Sequence, residues 1–231
     1  MRKTILLSCL LLASLSAFSQ EPATNTPRQR VLLETSMGNI MVELYNETPR
    51  HRDNFLKLVG EGYYDGNLFH RVIENFMIQS GDSTSRHAEP GALLGEYSPD
   101  YQLPSEIRFP QLFHKRGALA AAREPDDVNP EHASSASQFY IVYGRRFNDD
   151  MLDAAQDRLD MATHDAVKLT DEVREAYKTL GGTPHLDGQY TVFGEVVEGM
   201  DVVKSIQRVD TDDNNRPLEN VTIIKATIVK D

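Results

Sequence analysis

The chain has 231 residues, 40% of them hydrophobic, with 11 prolines and a formal charge of -11. That length supports one domain with a full core, and it is a little long for one minimal barrel. So acidic a chain lacks the clustered Lys and Arg that phosphate-backbone binding requires, and a cationic membrane-surface helix is excluded for the same reason.

Residues 1–19 read as a secretory signal peptide. Met1-Arg2-Lys3 supplies the positive start, Thr4 to Leu15 is mostly apolar, and Ala17-Phe18-Ser19 puts small residues at a cleavage site before Gln20. The apolar run is too short to read as a bilayer span, so no transmembrane segment is expected in the mature chain. Losing Arg2 and Lys3 takes the charge from -11 to -13. Cys9, the single cysteine, goes with the leader, so disulfide, thiolate and zinc-thiolate chemistry falls away. This pattern predicts an exported, periplasmic protein. Leu6-Leu7-Ser8-Cys9 offers a second route, lipoprotein anchoring at Cys9.

Residues 20–30 are polar and proline-containing, a flexible N-terminal segment ahead of a domain over 31–231. Two apolar runs, 31–35 and 40–45, flank Ser36-Met37-Gly38-Asn39 and predict a hairpin, with glycine supplying the unusual dihedral. Thr48-Pro49 opens a helix with threonine as cap; Phe55, Leu58 and Val59 form its buried stripe and Gly60 ends it. Residues 69–82 alternate loosely, break at Glu74-Asn75 and close on Gly81-Asp82, which predicts two short strands and a tight turn. Arg71 and Gln79 stand there beside Phe76 and Met77, an apolar floor with a few placed donors. The plain alternative is an edge hairpin with its polar side in water.

Residues 83–115 are loop-like. Gly117-Ala118-Leu119-Ala120-Ala121-Ala122 suits a short helix by propensity alone. In residues 149–180, Leu152, Ala155, Leu159 and Ala162 recur at near-helical spacing, and Val173, Ala176, Tyr177 and Leu180 do so more cleanly. Thr170 can cap the second of these helices and Gly181-Gly182 stop it. With nine acids against four bases the segment carries -5. A further helix is expected from Val197, and 221–229 reads as a last strand with Ile224, Ala226 and Ile228 on one face.

Three motifs carry a resemblance to a known family. FHRVIENFMIQSGD at 69–82 closely resembles the cyclophilin-type peptidyl-prolyl isomerase signature FHRVI..FM.QGGD, and Ser80 is its one departure. Ser137-Gln138-Phe139-Tyr140 is similar to the family's GSQFF, and residues 185–196 to its WLDG.H.VFG.V. The likeness runs from about Val31 to Val229, interrupted by 149–180, and points to an exported bacterial form with a helical insertion. It implies a mainly β fold: a closed eight-stranded antiparallel barrel with two capping helices and an inserted helical hairpin. It also makes 117–122 a strand behind the groove.

The implied activity is cofactor-free peptidyl-prolyl cis-trans isomerisation of Xaa-Pro bonds in exported proteins, assisting their folding. The implied partners are proline-containing peptides and unfolded or folding exported proteins, with weakened binding of cyclosporin-like ligands. Arg71 would be catalytic, a permanent cation donating to the prolyl nitrogen as it turns pyramidal. Phe76, Met77, Tyr140 and Leu186 would hold the proline ring. Gln79 and Gln138 would bind the peptide backbone or orient Arg71, and Ala122 would line the neighbouring pocket. Arg123 stands where the family often has asparagine, His185 where many members have tryptophan, and Tyr190 where those members have histidine; all three would border the groove. His70 reads as a buried, hydrogen-bonded structural residue. No HExxH, G-x-S-x-G or phosphate-cradling motif competes. The rival from another class is a non-catalytic peptide-binding chaperone or scaffold on the same barrel.

Overall fold

The computed structural model describes residues 27–229. The expected signal peptide over 1–19, Cys9 and most of the segment expected ahead of the domain lie outside the described residues. In chain order the elements are β1 (Arg30–Thr35), β2 (Gly38–Leu44), α1 (Pro49–Gly60), β3 (Arg71–Ile73), β4 (Met77–Ser80), β5 (Gln102–Leu103), β6 (Ala118–Ala121) and β7 (Ser134–Ser135). They continue with β8 (Phe139–Val142), α2 (Asp149–Thr163), α3 (Asp171–Thr179), β9 (Val192–Glu198), α4 (Met200–Ile206) and β10 (Ile223–Val229).

Eight strands form one curled antiparallel sheet in the order β10-β1-β2-β9-β6-β8-β4-β3, and β5 pairs with β7 separately. The expected closed barrel is not what forms. The two edge strands share no ladder; one isolated bridge, Leu68 with Thr222, and single bonds such as Phe69 N–H to the Val221 carbonyl join the seam. The reason is length. β3 has three residues and lies beyond the start of β10, where Val72 N–H reaches the carbonyl of Asn215 in the preceding loop.

The period-two alternation of a strand sorts side chains into two clusters. Ile78, Leu119, Phe139 and Ile141 point into the main core with the stripe of α1, whereas Met77, Ala118, Ala120, Tyr140 and Val142 take the opposite face. Residues 118–121 are therefore a strand, all four buried because both faces are covered. Small side chains there let the second cluster lie close to the sheet.

Three local expectations change. Thr48 does not cap α1 through its side chain; its hydroxyl lies 3.5 Å from the Tyr45 carbonyl. Glu106 replaces it, accepting from the N–H groups of Arg50 (3.2 Å) and His51 (3.0 Å) and from His51 Nδ1 (2.7 Å). Burial would raise the Glu106 pKa, but those hydrogen bonds prevail and hold it below the ordinary carboxylate range. In β10 the register slips between Glu34 and Thr35, so that Lys225 and then Ile223 face β1. Ile224 is bulged out and 60% exposed while Ile223 is fully buried, and the face expected from simple alternation is broken. Finally, α4 starts at Met200, because Val197 and Glu198 still belong to β9.

The segment 149–180 is helical as expected, with Thr170 accepting from Val173 N–H. Leu152, Leu159, Val173 and Tyr177 form a third cluster with Phe109, Phe113 and Phe147. Ala162 and Leu180 stay exposed. α2 packs against the 3-10 turn Pro184–Leu186, which places the helices directly behind one wall of the second cluster.

Candidate active site

The register of β3, β4 and β8 sets Arg71 opposite Gln79 and Gln79 opposite Tyr140, all on the face away from the main core. Arg71 Nη1 donates to Gln79 Oε1 (3.1 Å), and Gln79 Nε2 donates to Gln138 Oε1 (3.0 Å). Gln138 Nε2 then donates to the carbonyls of Gly95 (2.8 Å) and Tyr97 (3.0 Å). The chain has one polarity: each amide accepts at oxygen and donates at nitrogen, which fixes both amide orientations. Gln138 is thereby spent on the loop that carries Gly95 and Tyr97, and Gln79 on Arg71 and Gln138. Half-burial lowers the Arg71 pKa, with Tyr190 acting against that, and a guanidinium so placed remains a cation. The rest of its fork has no hydrogen-bond partner among the described residues.

Below the arginine the predicted pocket residues come together. Met77 and Tyr140 are buried, and Phe76, Leu186, Tyr190 and Ala122 pack partly exposed against them. Their cluster is separate from the main core, so these apolar side chains make a floor on the outer face of the sheet. The Tyr140 and Tyr190 rings meet edge to face at 6.1 Å, and the His185 ring lies 5.5 Å from Phe76. His185 keeps one side open to water; the packing of the rest, then nearby His114 and Arg158, lower its pKa, so the ring is neutral at pH 7.

Two of the three departures at the rim, Arg123 and Tyr190, prove to be one. The Arg123 guanidinium stacks over Tyr190 at 4.4 Å, donates to the Gln189 carbonyl (2.9 Å) and pairs with Asp126. Its side chain is held by the protein. Beyond it, a cavity of about 780 Å³ is lined by Gln79, Ala122, Arg123 and Gln138 and by the carboxylates of Glu96, Asp100 and Glu124.

Reading the sequence missed the group under the floor. Tyr140 brings a hydroxyl that lies 3.0 Å from His114 Nε2; His114 Nδ1 lies 2.9 Å from Asp187 Oδ1; and Tyr177 of α3 donates to Asp187 Oδ2 at 2.7 Å. All four residues are buried. Burial first, then Tyr190 and Asp187 for Tyr140 and Asp187 for Tyr177, push both phenols well above their ordinary pKa, so both remain donors. The network therefore assigns the proton of His114 to Nδ1, with Nε2 accepting from Tyr140. The sequence signal was Asp187 within Leu186-Asp187-Gly188, but its partner stands 73 residues away.

His70 corrects another expectation. It is buried, yet neither ring nitrogen has a hydrogen-bond partner among the described residues. Burial, helped by Arg71 and opposed by Asp82, pushes its pKa down to about 4. Ser80, the one departure from the motif, is buried and donates to the Leu68 carbonyl at 2.8 Å. The next residue is the demanding one: Gly81 has φ +102°, and a Cβ there would collide with the Ser137 carbonyl.

Among the described residues no group of three His, Cys, Asp or Glu side chains is placed to hold a metal ion, and no helix is long and apolar enough to cross a membrane.

Comparison with known proteins points to one family. The family model described as cyclophilin type peptidyl-prolyl cis-trans isomerase/CLD matches residues 30–228. Peptidyl-prolyl cis-trans isomerase-like 1 of Gibberella zeae is 33% identical over 203 residues, which is 87% of this chain and 95% of that protein. Peptidyl-prolyl cis-trans isomerase ppi1 of Schizosaccharomyces pombe is 34% identical over 199 residues, 85% of this chain and 96% of that one. Among solved structures, a cyclophilin type peptidyl-prolyl cis-trans isomerase of Cryptosporidium parvum superposes with a TM-score of 0.62 at 23% identity, covering 88% of this chain and 99% of that one. A crystal structure of the Cryptosporidium protein in the presence of the dipeptide Ala-Pro gives 0.59 at 24%, over 88% of this chain and 100% of that one.

Proposed function

The chain belongs to the cyclophilin-type peptidyl-prolyl cis-trans isomerases, and from that premise we propose that Arg71 performs the isomerisation over the floor of Phe76, Met77, Tyr140 and Leu186. An Xaa-Pro bond must cross a barrier of roughly 18–20 kcal/mol because its carbon–nitrogen bond is partly double. In the twisted transition state the prolyl nitrogen becomes pyramidal and gains a lone pair, which a fixed cationic donor stabilises and the planar ground state does not offer. Arg71 has donors to spare for that task, while its bond to Gln79 keeps the fork from swinging. A pyrrolidine ring on the apolar floor would anchor one side of the bond as the other turns. No nucleophile or proton relay is needed. The Ala-Pro dipeptide named with the Cryptosporidium structure is the class of ligand this floor fits.

The single observation that carries the mechanism is the polarised chain from Gln138 through Gln79 to Arg71. The check is turnover of a proline tetrapeptide by wild type beside Arg71→Ala. The rival reading, a non-catalytic chaperone or scaffold, predicts peptide binding without turnover, so the same assay separates the two. A loss of about 10²–10³-fold with an unchanged melting temperature is expected from removing one aimed donor; an unchanged rate sinks the arginine mechanism.

The substrates we propose are exported polypeptides, met in a periplasm, from the leader read over 1–19 and a mature chain without cysteine. The mass of the exported protein tests this: cleavage before Gln20 gives the soluble form, and a lipid adduct at Cys9 gives the anchored one. We also read 149–180 as an insertion into the family's fold, from the gap it makes between the second and third motifs. Cyclosporin-like ligands would bind weakly, because the rim they meet carries His185 and the Arg123–Tyr190 stack.

A further inference from the structure

A second groove opens on the far side of the Phe76–His185 pair, between the β3–β4 turn and α2, with a volume of about 530 Å³. Its walls include Phe76 and His185 themselves, so it is continuous with the edge of the proline floor. Phe147 and Met151 give it apolar surface, and Arg145 and Arg158 give it charge.

These arginines stand out from the bases around them. Of the four bases in 149–180, Lys168, Arg174 and Lys178 each pair with carboxylates. The Arg158 side chain has no hydrogen bond or ion pair among the described residues, and the Arg145 guanidinium has only its stacking over Phe147 at 5.5 Å. Both are exposed, and both act on His185 from nearby, lowering its pKa. The one carboxylate in the lining, Glu74, forms no ion pair there. A chain of net charge -11 thus leaves two unpaired guanidinium groups facing one groove beside its candidate active site. An arginine pair over apolar walls suits a carboxylate on a short aliphatic stem, taken by charge-assisted and bidentate bonds.

We propose that this groove is a subsite for an acidic residue of the substrate polypeptide, a Glu or Asp within a few residues of the proline held on the Phe76–Met77 floor. The inference rests on the isomerase reading of that floor, and it adds a selectivity that the three shared motifs do not carry. Segment 149–180 supplies one of its two arginines, Arg158, and the apolar Met151.

The test is a set of peptides with one proline and a single Glu, Gln or Lys scanned through the positions on either side of it. Wild type should turn over one Glu peptide about fivefold better than its Gln counterpart at low salt, the scale of two partly exposed ion pairs. The Lys counterpart should be worse than both, and the Glu advantage should fade as salt rises. Arg145→Gln with Arg158→Gln should bring the Glu-to-Gln ratio to one, and Arg145→Glu with Arg158→Glu should invert it. No Glu preference at any position in wild type, or a preference that survives the double change, overturns the subsite. If wild type turns over no peptide at all, the isomerase reading fails instead. The same Glu and Gln peptides, labelled and titrated for binding to wild type and double variant, then decide the subsite by the same ratio.

Discussion

The two walls of the candidate active site are built by different means. The wall that carries Arg71 is sheet: β3, β4 and β8 fix Arg71, Gln79 and Tyr140 through ladder register, and side-chain bonds only refine what the backbone has set. The wall that carries His185 and Leu186 is a single 3-10 turn with no ladder of its own. It is held from behind by α2 and, through Asp187, by His114 and Tyr177. A ladder holds a side chain by many weak local bonds, whereas a prop holds it by a few buried ones. The first wall should therefore lose function piece by piece, and the second should lose stability at one residue.

The largest effects separate the walls in opposite directions. Arg71→Ala should cost two to three orders of magnitude in turnover with no change in folding stability, because its backbone register survives. Asp187→Ala should do the reverse. It leaves His114 Nδ1, the His114 N–H and the Tyr177 hydroxyl buried without their acceptor, a loss of about 3 kcal/mol or more in a urea melt. Tyr177→Phe should cost about 1 kcal/mol, and both changes should raise KM more than they lower kcat. If Asp187→Ala melts like wild type, the second wall is not propped from α3.

A smaller contrast lies in the two histidines behind the walls. His114 has a partner on each ring nitrogen; His70, behind Arg71, has none, and its pKa is pushed down to about 4. In the unfolded chain His70 takes up a proton near pH 6.5, while the folded chain resists until about 4. Between those values the unfolded state binds more protons, so stability falls on acidification by up to ~1.4 kcal/mol per pH unit. From pH 7 to 4.5 this amounts to about 2 kcal/mol. His70→Gln should flatten the urea stability profile over that window, measured beside wild type; parallel profiles would clear His70 of the acid loss.

Much of the first wall was legible in the sequence and little of the second, for a physical reason. Arg71, Phe76, Met77 and Gln79 fall within nine residues, on one hairpin whose alternation and break are visible as a string. The prop joins Tyr140, His114, Asp187 and Tyr177 from four separate stretches, and only folding brings them together. Glu106 capping α1 escaped for the same reason: a threonine before a proline is a local signal, and a carboxylate from 55 residues away is not. The open seam was hidden by a three-residue strand, and the face of β10 by one bulged isoleucine. Local periodicity shows neither, because both depend on the partner strand.

The smallest expected effect concerns the one mismatch in the motif. Ser80 ends β4 with its hydroxyl bonded to the Leu68 carbonyl, so the side chain ties the strand carrying Gln79 to the stretch entering β3. Ser80→Gly would remove that bond and add backbone freedom within a strand, together about 1 kcal/mol, with turnover unchanged because Arg71 and Gln79 keep their register. Gly81→Ala is the sharper control one residue on. It has φ +102° and no room for a Cβ against the Ser137 carbonyl, so the strain must move either Gly81 or the backbone that carries Gln138. The two positions thus make different demands, and only Gly81 requires glycine. A Ser80→Gly variant that lost turnover while keeping its melting temperature would mean that the hydroxyl serves the site, and the first wall would then owe its alignment to more than its ladder.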